Sequence, residues 1–198
     1  MDGFDPKAET RVRIIEAASK RFMHYGYAKT TMAEIARDLS MSTGNLYRFF
    51  ESKVDIAEAI AREHEAAEDE VMRLIAAAQA PAVERLRTLS FTVLRETFKV
   101  MAESQKVYDI AQAISRERPS YANRRLATER VFLGRILKDG MAEGVFDPGL
   151  DVDFVAEMIQ CAMMKYRYPQ LYCFLTLDQL ERELDGVLGL LLAGLRAR

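Results

Sequence analysis

Three helix-start signals fall between Thr31 and Ser52, and no long helix fits among them. Thr31-Met32-Ala33-Glu34 has the form of a capping box: the Thr hydroxyl accepts an orphan N–H and the Glu three residues on reaches back. Met32, Ile35, Ala36 and Leu39 then recur at i, i+3, i+4 and i+7, the period of one buried helical face. Ser40-Met41-Ser42 offers a turn and a fresh N-cap, so this helix ends near Leu39 and the next runs from Ser42 to Phe50. Ser52 caps another. Upstream, Ile15, Ala18 and Phe22 mark one face of a first helix that stops at Tyr25-Gly26. The pattern predicts a tight trio of helices followed at once by a fourth.

The remainder is helical by the same criteria. The fourth helix runs to about Ala78, and a fifth lies behind Pro81 with Leu86, Leu89, Phe91, Val93, Leu94, Phe98 and Met101 on a wide apolar arc. A sixth covers about Ser104 to Glu117, and a seventh about Ser120 to Glu143, stopping at Gly144. After the Asp147-Pro148-Gly149 turn, an eighth extends from Asp151 to about Tyr168, halted by Pro169. Thr176-Leu177-Asp178-Gln179 opens the ninth with a second capping-box pattern. The expected fold class is all-α with about nine helices, and 49% hydrophobic residues suffice for a substantial core. No basic segment leads into an apolar run, and the longest apolar block, Val187 to Leu195, is too short to span a bilayer. Cys161 and Cys173 match no metal-ligand or disulfide spacing. A soluble, cytoplasmic chain with no membrane association is the expectation.

Two short helices joined by a tight turn, the second with small and polar residues at its front, follow the helix-turn-helix plan. A reading helix presents its N-terminal residues to base edges in the major groove. Thr43, Gly44 and Asn45 occupy that front: Gly44 permits close backbone approach, and Asn45 can donate and accept together, as adenine requires. Leu46 and Phe50 face the other way and pin the helix to Phe22, Ile35 and Leu39. Tyr47, Lys53 and Thr31 are placed for phosphates. Taken singly, Thr31 and Ser42 are as well explained as plain caps, Tyr47 as a half-buried aromatic and Lys53 as a solvated charge; order and spacing together favour DNA. Charge points the same way. Thr10 to Lys53 carries eight Lys/Arg against four Asp/Glu, whereas Val54 to Arg198 carries 19 against 23.

Met32 to Ile56, M-A-E-I-A-R-D-L-S-M-S-T-G-N-L-Y-R-F-F-E-S-K-V-D-I, resembles the DNA-binding signature of TetR/AcrR-type regulators, and Ala18, Phe22 and Gly26 fit its first helix. Ser40 stands where that family usually has glycine, at a turn position that favours positive φ. Asn45 and Phe49 stand where Thr and a His or Tyr are frequent, which leaves the operator unassigned. The resemblance implies a helix-turn-helix DNA-binding domain over 1–53 and a regulatory domain over 54–198 that binds a small ligand and dimerises. It also implies repression rather than activation, with double-stranded DNA and a small-molecule effector as partners and no cofactor.

The residues speak to the second domain less directly. In the last helix, Leu177, Leu180, Leu184, Val187 or Leu188, Leu191 and Leu195 form a near-heptad stripe, beside Gly186, Gly189, Ala193 and Gly194. With Phe154, Val155, Met158, Ile159 and Ala162 of the helix before, they suit a homodimer through the last two helices, or else the closing of the chain's own core. An effector pocket drawn from Phe91, Phe98, Met101, Tyr108, Phe132, Met163 and Tyr166, with Gln112 or Arg135 as polar contact, calls for an apolar molecule; the same residues also read as plain core. Enzyme chemistry finds no support: His24 and His64 have no metal-ligand partner at helical spacing, and neither a phosphate-binding glycine loop nor a nucleophile elbow occurs. A non-catalytic interaction module with a basic N-terminal face is the alternative. A thiol sensor built on Cys161 and Cys173 is a further variant.

Overall fold

The computed structural model describes residues 5–103, 105–168, 171–172 and 174–197, the side chains of 101–103 and 105 excepted. Among these are nine α-helices and no strand: α1 Pro6–Tyr25, α2 Met32–Asp38, α3 Thr43–Tyr47, α4 Lys53–Ala77, α5 Ala82–Glu103, α6 Gln105–Glu117, α7 Pro119–Ala142, α8 Val152–Ala162 and α9 Leu177–Leu195. The all-α expectation holds. The start signals work as read, since both capping boxes close, at Thr31 with Glu34 and at Thr176 with Gln179. Pro119 opens α7, where its missing N–H costs nothing.

One expected helix is divided. In place of a continuous helix to Tyr168, α8 ends at Ala162 and one 3₁₀ turn, Met164–Arg167, follows. That tighter turn buries Tyr166 and brings Arg167 to the buried carboxylate of Glu129 on α7, contacts that only tertiary structure specifies.

The chain divides into two compact units. The first runs as far as Ala67 and adds the stretch around α6 up to Tyr121; the second takes Glu68–Glu103 and everything from Ala122 on. The core of the first combines Ile14, Ala18 and Phe22 of α1, Ile35 and Ala36 of α2, Leu46 and Phe50, Ile56, Ala57 and Ile60 of α4, and Ile110, Ala113 and Ile114 of α6. Two cations fasten α6 here. Lys106 Nζ donates to the carbonyls of Met23 and His24 at the end of α1, and Arg118 Nη2 donates to Asp55 Oδ1 at 2.7 Å. By its packing, α6 is thus part of the unit that holds α1 to α3.

The second unit centres on Leu86, Leu94, Ile136, Leu137, Ile159, Leu180, Leu184 and Leu188, drawn from α5, α7, α8 and α9. Its buried charges are paired, as burial demands. Arg85 reaches the Ala76 carbonyl at 2.8 Å, Asp139 at 2.7 Å and Glu143 at 3.1 Å. Glu129, 3% exposed, receives Arg167, Arg125 and the Gln160 amide. No helix among the described residues is long and apolar enough to cross a membrane.

Candidate nucleic-acid interface

The start of α3 is fixed by local chemistry. At the α2 end, Met41 N–H donates to Ala36 O and Ser40 N–H to Arg37 O, both at 3.0 Å, the paired bonds of a Schellman stop. That motif puts Ser40 in the left-handed region at φ 54°, and it is the one non-glycine residue so placed among those described. Ser42 then caps α3, its Oγ accepting from Asn45 N–H at 3.2 Å. Five residues later the helix is over.

Its two sides differ as the sequence suggests. Leu46 and Phe50 are buried in the first core. Gly44 is exposed, with nothing within 4 Å of where a Cβ would stand, and Tyr47 is 49% exposed. The side chains of Thr43 and Asn45 are partly exposed and take no hydrogen bond from the described residues. A helix held at its back, with unspent polar groups at its front, can offer those groups to an external surface.

Thr31 stands exposed at the start of α2. Its N–H donates to Glu34 Oε2 at 2.9 Å, and its Oγ1 accepts from Glu34 N–H at 3.3 Å. The bonds from the Thr31 backbone and hydroxyl hold the Glu34 carboxyl below the ordinary carboxylate value. Lys53 faces inward for the most part. Two of the three ammonium donors go to Tyr27 O at 2.7 Å and Thr30 O at 2.8 Å, and Nζ lies 4.2 Å from the centre of the Tyr27 ring. Burial lowers its pKa. The Tyr27 hydroxyl is pushed up to about 12, by burial first and then by Glu117 of α6. Lys53 therefore joins the start of α4 to the loop that ends in Thr31.

Two cations at this face escaped the sequence reading. Arg48, at the end of α3, and Lys29, in the loop before Thr31, are exposed and have no partner among the described residues. Their one sequence signal was the local excess of positive charge.

The residues named for an effector are dispersed. Met163 and Tyr166 are core, and the Met163 sulfur receives the buried Ser90 hydroxyl at 3.4 Å. Phe98 and Phe132 pack against that core; the Phe98 ring is stacked on Tyr172 at 6.4 Å. Phe91 lines a groove of about 210 Å³ with Arg87, Thr88, Thr92 and Arg95. Arg135 is exposed on α7, and the Met101 side chain lies outside the described residues. Tyr108, half-buried, and Gln112, exposed, belong to α6 in the first unit. Sequence reading missed Tyr172, whose hydroxyl is buried with no hydrogen-bond partner among the described residues. Cys161 is exposed on α8, and Cys173 lies outside the described residues.

Comparison with known proteins agrees with this geometry. Residues 14–60 match the model for bacterial regulatory proteins of the tetR family. The transcriptional repressor KstR2 of Mycobacterium tuberculosis is 30% identical over 151 residues, 76% of either chain. The chain belongs to the TetR family. As members of that family are, it is a DNA-binding transcriptional regulator and not an enzyme. The regulator HbdR of Aromatoleum is 48% identical over 54 residues, so the match spans only 24% of that protein. Among solved structures, KstR2 superposes with a TM-score of 0.56 at 26% identity over 96% of each chain. The fatty acid degradation regulator FadR of Bacillus halodurans, 24% identical over the whole of both chains, has a TM-score of 0.67 and shows the shared fold.

Proposed function

We propose that this TetR-family chain is a repressor that binds a palindromic operator as a homodimer and releases it when a small apolar molecule occupies the second unit. The observation that carries DNA reading is the division of the 43–50 segment: Leu46 and Phe50 are buried while Thr43, Gly44, Asn45 and Tyr47 remain accessible. In this reading Asn45 and Thr43 meet base edges. Tyr47 and the Ser42 and Thr31 ends of the two helices meet phosphates, joined by the one Lys53 donor not spent internally. The functional division stays at 1–53 for DNA and 54–198 for regulation, with α6 as the regulatory segment that packs among the DNA-reading helices.

Support for dimerisation comes from α8 and α9. Phe154, Met158 and Leu190 are exposed, Leu190 to 79%, and nothing approaches within 4 Å of the Cβ positions of Gly186, Gly189 and Gly194. An apolar face on two successive helices, with glycines that admit close backbone approach, suits a symmetric interface. Repression is supported by KstR2, named as a repressor. An apolar effector is supported by the Phe, Met and Tyr side chains in and against the second core, where the buried Tyr172 hydroxyl has no hydrogen-bond partner among the described residues. Such a molecule must prefer the arrangement that does not bind DNA, or it shifts nothing.

Selection of bound sites from a random duplex library by the purified protein tests this reading. An enriched inverted repeat is the expected result. Enrichment of a single half-site would remove the dimer, and no enrichment from folded protein at any salt would remove the operator.

A further inference from the structure

A five-residue helix with one buried residue of its own is a weakly held object, so whatever grips its far end matters for what it reads. Besides Leu46, Phe49 and Phe50, which pack in or against the first core, a long-range polar contact meets that end. Arg11 of α1, 38 residues upstream, donates from Nη1 to the Phe49 carbonyl at 3.1 Å, and its guanidinium carbon lies 4.0 Å from the centre of the Phe50 ring. Phe49 is the residue just past the C-cap Arg48, so its carbonyl lies where the helix stops. The base of the clamp is rigid, because Ile14, Ile15 and Ala18 on the next turn of α1 are buried. No carboxylate among the described residues pairs with Arg11, whose guanidinium meets the Phe49 carbonyl and the Phe50 ring instead. A planar guanidinium can bond in its plane and stack through its face at once; an ammonium cannot.

We propose that Arg11 is a positioning residue for the reading helix. It clamps the C-terminal end of α3 to α1 and thereby sets the discrimination between operator and other DNA without itself touching a base or a phosphate. The inference rests on the operator reading above. Base recognition needs Thr43 and Asn45 at one depth and angle in the groove, whereas phosphate attraction tolerates a tilt. Loosening the clamp therefore lowers specific binding and spares non-specific binding.

The test uses the full chain with Arg11→Met and Arg11→Lys. Each is titrated with the selected operator and with a scrambled duplex of equal length, over a range of salt. Hydrogen exchange of the 42–50 segment is followed without DNA. Arg11→Met should bind the operator about tenfold more weakly, with scrambled-duplex affinity and salt slope unchanged. Exchange over 42–50 should quicken while the 14–22 segment stays protected. Arg11→Lys should recover only part of the loss. Equal losses on both duplexes, with a salt slope flatter by about 0.9, would make Arg11 a phosphate contact and overturn the proposal. Unchanged exchange over 42–50 overturns it as well. If the wild type prefers no duplex, the operator reading has failed, and exchange alone decides whether Arg11 holds α3. Should Arg11→Met also expose 14–22, the same measurements on Arg11→Lys decide.

Discussion

Replacing Ser40 by glycine should stabilise the protein, and the size of the gain follows from the turn. Ser40 sits at φ 54° in a Schellman stop. An L-residue with a Cβ pays about 1–2 kcal/mol for that conformation, and glycine pays none. Glycine gives back about 0.4–1 kcal/mol through the greater freedom of its unfolded chain. The Ser40 side chain is exposed and holds no hydrogen bond among the described residues, so nothing else is lost. The balance is about 0.5–1 kcal/mol in favour of Ser40→Gly, a rise of about 1–4 °C in Tm for a chain of this length. Ser40→Val, which adds β-branching at positive φ, should move Tm the other way. Both bonds of the stop come from backbone N–H groups, so Ser40→Gly should leave operator affinity unchanged. Thermal unfolding followed by circular dichroism reads the shift. A Tm that is unchanged or lowered in Ser40→Gly would mean that the turn between α2 and α3 is not left-handed in solution, and the reasoning would fail.

Asn45→Ala should change the preferred base at one operator position at a cost of about 1–3 kcal/mol there, while Arg48→Ala should weaken all duplexes and flatten the salt slope by about 0.9; parallel titrations separate the two. Gly140→Ala would set a Cβ 2.1 Å from Cδ2 of the buried Phe146 ring and should cost about 1–3 kcal/mol, whereas Gly134→Ala, whose Cβ meets Val152 at an ordinary 3.5 Å, should be neutral or stabilising by calorimetry. Burial raises the Asp55 carboxyl, but hydrogen bonds from Ser52 and Arg118 outweigh it and leave the pKa below its ordinary value. Its contribution is therefore complete above about pH 4 and is lost as pH falls through the depressed value. Asp55→Asn should be less stable than wild type at pH 7, and the gap should narrow by pH 3.

What the sequence made legible here was what is local. Thr31, Ser42 and Thr176 announce their helices because a cap and its N–H lie within three residues of each other. The front and back of α3 were legible for a similar reason, since helical period alone places Leu46 and Phe50 opposite Gly44. Periodicity shows which face of α6 is apolar, but not that Ile110, Ala113 and Ile114 join the core of α1 to α4. Lys53 could be seen to lie at a helix start, and its bonds to Tyr27 and Thr30, 26 and 23 residues away, could not. The break in α8 is of the same kind, because Arg167 finds Glu129 across 38 residues.

This division between local and distant causes bears on how such a reader can vary. Among the described residues nothing specifies the front of α3: Gly44 faces open space, and the Thr43 and Asn45 side chains bond to none of them. On the proposed function, substitution there should change which sequence is read at little cost to folding. The back is specified from afar, through Leu46, Phe50 and the Arg11 clamp. So short a helix has too few internal hydrogen bonds to persist once those are loosened. The expectation from the proposed function is therefore that changes at the back decide whether anything is read, and changes at the front decide what.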